Sequence, residues 1–218
     1  MIISKLSIEN FKGIRNPVEF DFSGITLLFG PNSAGKSTVL NAFSYLNDVI
    51  NHNEYDSDTT QMGAGSMNLG GYRQFVNNHD VSKNVYFKLE LNLHDEDLTE
   101  TAASSKYVDF YNSLEDKKQR EFLVDMGEVS EKIETASVDI EIAWSEYANT
   151  PYVKKLEFGV NGKKFATLMG TQSRKGGVLT YLNLEHLIIT DSSCSSPQPY
   201  LAHLLGEYID EQFLDEIG

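Results

Sequence analysis

Cysteine is almost missing from this sequence: Cys194 stands alone among 218 residues. A single thiol excludes an internal disulfide, and without a CxxC partner it excludes a cysteine-rich zinc site. Basic residues are also scarce. Lys and Arg number 18 against 32 Asp and Glu, for a net charge of −14. That balance disfavours a stand-alone nucleic-acid binder, which usually carries a basic excess or stripe. Arg174-Lys175, with Lys163-Lys164 nearby, is the one basic cluster of note and reads as a solvated hairpin face. No apolar run approaches the roughly 20 residues of a membrane-spanning helix. The opening MIISKLSIENFKGI lacks the charged start, apolar stretch and cleavage site of a secretion signal. A cytoplasmic protein with no membrane partner is expected. The five histidines, 52, 79, 94, 186 and 203, show neither helical i, i+4 spacing nor an HExxH pattern, so no zinc centre is expected.

Hydrophobic periodicity organises what is present. Ile3, Leu6, Ile8 and Phe11, then Val18, Phe20 and Phe22, predict two short strands over 2–11 and 18–22. ITLLF (25–29) is apolar without alternation, as in a strand buried on both faces. Val39, Leu40, Phe43, Leu46 and Ile50 have helical spacing. Residues 51–71 are polar and rich in Gly, Asn and Asp, and read as a long loop. Further strands are predicted at 84–93, 137–144, 152–160, 163–169 and in 178–190. Asn161-Gly162 predicts a two-residue hairpin turn. Trp144 reads as a half-buried strand residue, and helices are expected at 104–126 and 200–217. The fold class is α/β with α+β character: a strand–loop–helix phosphate-binding core with an antiparallel, strand-rich lobe. One lobe is expected, with a core at 1–50, a loop at 51–71, antiparallel strands and an inserted helix at 72–190, and a loop and helix at 191–218.

Gly30-Pro31-Asn32-Ser33-Ala34-Gly35-Lys36-Ser37 fits G-x-x-x-x-G-K-[ST], after an apolar run and before an amphipathic helix. Gly30 and Gly35 let the backbone turn tightly, so that its N–H groups approach a phosphate where a Cβ would intrude. The following helix adds its positive end and unpaired amides. Lys36 supplies a charge to the β- and γ-phosphates, and the Ser37 hydroxyl a ligand for Mg²⁺. Thr38 can serve the α-phosphate side. ATP with Mg²⁺ is the expected ligand.

LSIENFKGIRNPVEFDF followed by ITLLFGPNSAGKSTVLNAFSYL resembles the opening of ABC-type ATPase heads of the RecF, SMC and OLD group. The matching residues are Ile8, Asn10, Phe11, Lys12, Gly30, Asn32, Gly35, Lys36 and Ser37. A second stretch, NLGGYRQFVNNHDVSKNVYFKLEL, is similar to a bacterial, PtuA-like subset found in DNA repair and anti-phage defence. The resemblance implies an ABC-type lobe and ATP-sandwiched homodimers. It implies work on DNA or with a nuclease or effector partner. It sets Lys12 near the nucleotide and makes Gln74 or Gln61 the glutamine that contacts magnesium and the attacking water.

Hydrolysis needs a second acid and a group that positions water. The family carries both as four apolar residues followed by Asp-Glu. The nearest counterpart, Leu187-Ile188-Ile189-Thr190-Asp191, continues with Ser192 and reads as a strand end. Ser192 to Ser196 lack a GxSxG context and read as a polar loop. A signature segment and a switch histidine also have no counterpart, so the sequence is expected to be the N-terminal part of a longer ATPase that supplies them, or a natural truncation. The alternative is a nucleotide-binding regulatory or interaction module without turnover. A small-molecule kinase is disfavoured by the antiparallel region and the lack of an arginine-rich lid.

Overall fold

In the computed structural model, residues 2–31, 35–52, 54–56, 59–62, 65–94, 132–172 and 177–183 are described. They fall into two units. One comprises the described residues within Ile2–Asn92 and Ala136–Tyr181, and the other holds 93–94, 132–135 and 182–183. In the second, the described portion includes a backbone bond from Leu93 N–H to the Glu134 carbonyl (2.8 Å).

The first unit is built on a seven-stranded sheet. Its strands are β1 (Ile2–Glu9), β2 (Val18–Asp21), β5 (Val85–Asn92), β6 (Thr135–Ser145), β7 (Thr150–Val160), β8 (Lys163–Gly170) and β9 (Gly177–Leu182), in the spatial order β2-β1-β5-β6-β7-β8-β9. The pairs β1–β2, β1–β5, β6–β7 and β7–β8 are antiparallel. Period-2 alternation sorts the faces. Leu6, Ile8, Phe87, Leu89, Ile140 and Ile142 enter the core, whereas Ser7, Lys88, Asp139 and Glu141 occupy the alternate positions. Asn161 (φ +50°) and Gly162 (φ +71°) turn β7 into β8, the two left-handed residues expected of that pair.

Helix α1 (Lys36–His52) covers the apolar face. Its buried stripe is Val39, Ala42, Tyr45, Leu46 and Val49, at spacings of three and four. The sequence had suggested Leu40 and Ile50 for this stripe, and both are exposed. The helix is apolar on two sides. The side with a small residue, Ala42, lets it approach the sheet, and Tyr45 can join because its hydroxyl donates to the Tyr55 carbonyl at 2.6 Å. Phe11 fastens the layers together. Its ring lies 5.2–6.0 Å from those of Tyr45, Phe75 and Phe87.

Two expectations change. Within 51–71 a small two-stranded sheet forms from β3 (Thr59–Met62) and β4 (Gly65–Asn68), with Met62 opposite Gly65. Thr59-Thr60-Gln61-Met62 and Gly65-Ser66-Met67-Asn68 have no apolar alternation, so hydrophobic periodicity gives no sign of them. Residues 25–29 are not a strand in the structure. The last ladder bond of this edge is Phe22 N–H to the Ser4 carbonyl (2.8 Å). Beyond it Ile25 and Phe29 are 85% and 86% exposed, and Leu27 and Leu28 are exposed as well. A strand apolar on both faces needs a partner on each edge and a cover on each side. The described residues offer this run none. The expected helices at 104–126 and 200–217, and the end of 178–190, lie outside the described residues.

Candidate nucleotide-binding site

Between this apolar run and α1 lies the glycine-rich loop. Gly30, Pro31 and residues 35–38 are described; Asn32, Ser33 and Ala34 lie outside the described residues. Gly35 has φ +86°, a left-handed conformation that L side chains rarely adopt. A Cβ there would meet nothing within 4 Å, so conformation rather than space demands the glycine. Its carbonyl accepts from Thr38 N–H (2.9 Å) and Val39 N–H (3.4 Å) and so starts α1. The first turn carries no acid. Lys36 Nζ donates to the carbonyls of Gly30 and Pro31, each at 2.7 Å. Neutral acceptors thus hold the ammonium at the loop and leave its charge intact. Ser37 is exposed and Thr38 buried. An ammonium and an accessible hydroxyl at the N-terminal end of a helix can bind a polyphosphate and give one oxygen to a divalent cation.

Lys12 lies in the tight turn after β1, where Phe11 and Ile14 bridge. Its φ is +50°. The backbone is held on both sides. Lys12 N–H donates to the Phe75 carbonyl, and Asn77 Nδ2 donates to the Lys12 carbonyl at 2.7 Å. The ammonium reaches α1. With the Asn41 amide turned to suit its neighbours, Lys12 Nζ donates to Asn41 Oδ1 (2.7 Å) and Asn41 Nδ2 to the Ser37 carbonyl (3.0 Å). Burial pulls the Lys12 pKa below the ordinary lysine value.

Gln74 is exposed on the short helix α2 (Tyr72–Phe75). Gly70 (φ +78°) and Gly71 (φ +76°) precede it. A Cβ on Gly70 would stand 2.9 Å from Gln74 Cβ, so the glycine fixes how closely this helix folds back. Leu69, Tyr72, Phe75 and Val76, at the start of the second resembling stretch, are all buried. Gln61 falls on β3, opposite Ser66. Asp191 and Ser192–Ser196 lie outside the described residues.

A family model described as an AAA domain matches residues 5–194. The chain belongs to the AAA domain family. That family is one of ATPase-type nucleotide binders, and its members generally take ATP with Mg²⁺. No curated protein matches this AAA domain. Its described part is mostly antiparallel sheet, and none of its described helices is long and apolar enough to cross a membrane. Sequence reasoning picked out the loop and Lys12 but passed over Asn41 and Asn77. Both are plain amides in sequence, and only the fold brings them to Lys12. The one available hint was that Asn41 follows Ser37 by four residues, hence one helical turn above it.

Proposed function

We propose that this AAA domain binds Mg-ATP on residues 30–38 as the phosphate-binding lobe of a RecF/SMC/OLD-like ATPase head. In this reading Gly30, Pro31, Asn32, Ser33, Ala34, Gly35, Lys36, Ser37 and Thr38 enclose the phosphates, Ser37 also binds Mg²⁺, and Lys12 adds a second cation. The observation that carries it is the start of α1. There Gly35, left-handed at φ +86°, turns the chain into the helix, and the Lys36 ammonium lies on the neutral carbonyls of Gly30 and Pro31, each at 2.7 Å. Calorimetry with Mg-ATP tests it. Lys36→Ala should weaken binding by about 1.5–3 kcal/mol, the range for a hydrogen bond to a charged group. Unchanged affinity would refute the phosphate role.

Residues 25–29 favour a lobe that works in a larger assembly. Their exposed apolar side chains suit the middle of a sheet whose remaining strands come from other polypeptide. ATP-driven homodimerisation, and through it work on DNA or a nuclease partner in repair or phage defence, extends the same reading. Sedimentation with a non-hydrolysable ATP analogue should show a dimer of the completed head, and a monomer at saturating analogue would count against it.

Binding without turnover is the second reading, favoured by Ser192 standing where a catalytic Glu would follow Asp191. Steady-state assays of the 218-residue chain should find little hydrolysis. Turnover typical of complete ATPases (about 1 s⁻¹ or more) would reject it.

A further inference from the structure

We propose that Asn41 is a positioning residue that holds the Lys12 ammonium beside the first turns of α1 as a second, un-neutralised cation for the bound triphosphate. This rests on residues 30–38 being the phosphate site.

Asn41 is only 7% exposed. One end of its amide accepts from Lys12 Nζ, and the other donates to the carbonyl of Ser37, the residue the motif assigns to magnesium. It therefore bridges the β1 turn and the loop-bearing helix. The Lys12 ammonium meets no carboxylate among the described residues, in a chain of net charge −14. An ammonium has three donors, and Asn41 takes one. A carboxylate at position 41 would grip the lysine harder, though it could not donate to the Ser37 carbonyl. It would also cancel the charge. An amide fixes the ammonium and leaves the charge to act on a ligand.

The backbone supports the same placement. Lys12 stays in a left-handed conformation because Phe75 and Asn77 hold its N–H and carbonyl. Asn77 is itself anchored, its N–H donating to the Asn10 carbonyl at 3.1 Å. The turn is thus fixed from below by the α2 segment and the ammonium from above by Asn41. Such over-determination of a costly conformation is typical of functional positions.

The test is a double-mutant cycle on the full chain, reading the Kd for Mg-ATP and for magnesium tripolyphosphate, with a thermal melt of each variant. Lys12→Met should weaken both ligands about tenfold, the worth of one charged contact. Asn41→Asp keeps an acceptor for Lys12 but gives up the bond to the Ser37 carbonyl, so its melt is read first; where the fold holds, it should weaken both ligands roughly five- to tenfold by neutralising the ammonium. In the Lys12→Met background that second loss should shrink to about twofold or less, since residues acting through one contact are not additive. Normal affinity in Asn41→Asp, or an equal loss in both backgrounds, overturns the proposal. If Asn41→Asp melts the chain, Asn41→Ala takes its place in the cycle: non-additivity with Lys12→Met supports the role and additivity rejects it. Lys36→Ala separates the two readings. If it binds like the wild type, the phosphate site itself is wrong; if it loses binding while the cycle is additive, only the role of Asn41 falls.

Discussion

Charge at single residues follows one rule on both faces of this sheet: the partner decides whether a charge is spent or kept. On the polar face Glu157 accepts from Lys164 (2.7 Å) and Lys155 (2.9 Å). These bonds, that from Lys164 first, bring its carboxyl pKa down to about 2 from an ordinary 4.5. A lowered carboxyl pKa contributes stability that is complete above the unfolded value and lost as pH falls toward the folded one. The Glu157 contribution should therefore be full above about pH 5 and fade between about pH 4.5 and 2. The lysine side chains are 41% and 36% exposed, so solvent screens the pair. Glu157→Gln should cost on the order of 1 kcal/mol at pH 7 and nothing near pH 2. Urea melts of both proteins across that window check it, and a difference independent of pH would refute it. At Lys12 and Lys36 the partners are amide and carbonyl oxygens, and the positive charge survives for a ligand.

At the scale of elements, α1 shows how packing selects between two apolar stripes that its spacing leaves nearly equal. Leu46 is buried against the sheet, whereas Leu40 is exposed on the other side. Leu46→Ala should cost about 2–5 kcal/mol, the range for a truncated core leucine. Leu40→Gln should change stability by no more than about 0.5 kcal/mol in this chain. Denaturant midpoints distinguish them, and a large loss at Leu40 would mean the stripe is misassigned. The short helix α2 is legible for a different reason. Its two glycines adopt left-handed φ, and Tyr72, fully buried, donates from its hydroxyl to the Ile142 carbonyl at 3.1 Å. The Tyr72 ring stacks on partly buried Trp144, over which the Arg73 guanidinium lies at 4.5 Å. Glycine pairs and aromatic residues are visible in sequence, but not their partner on β6.

At the scale of the molecule, an antiparallel lobe completes its own core and leaves the run before the glycine-rich loop exposed. Exposed apolar chain with unpaired backbone invites association. The 218-residue chain should self-associate with rising concentration in sedimentation experiments. Phe29→Asp with Leu27→Asp should reduce that association and shift the thermal midpoint little, because neither side chain packs in the core. Equal association in the double variant would show that another surface is responsible.

Local structure was readable from the chain itself: the glycine-rich motif before a helix, the Asn161-Gly162 turn, and most strands, whose period-2 pattern reports one buried face. Each of these is set by a few neighbouring residues. What needed the fold was every choice between equal local options. Tertiary packing decided which side of α1 is buried, paired the polar strands β3 and β4 without a hydrophobic signal, and left residues 25–29 without strand partners among the described residues. It also brought Asn41 and Asn77 to Lys12 from 29 and 65 positions away in sequence. Burial and long-range hydrogen bonding depend on which surfaces meet, and no local pattern encodes that.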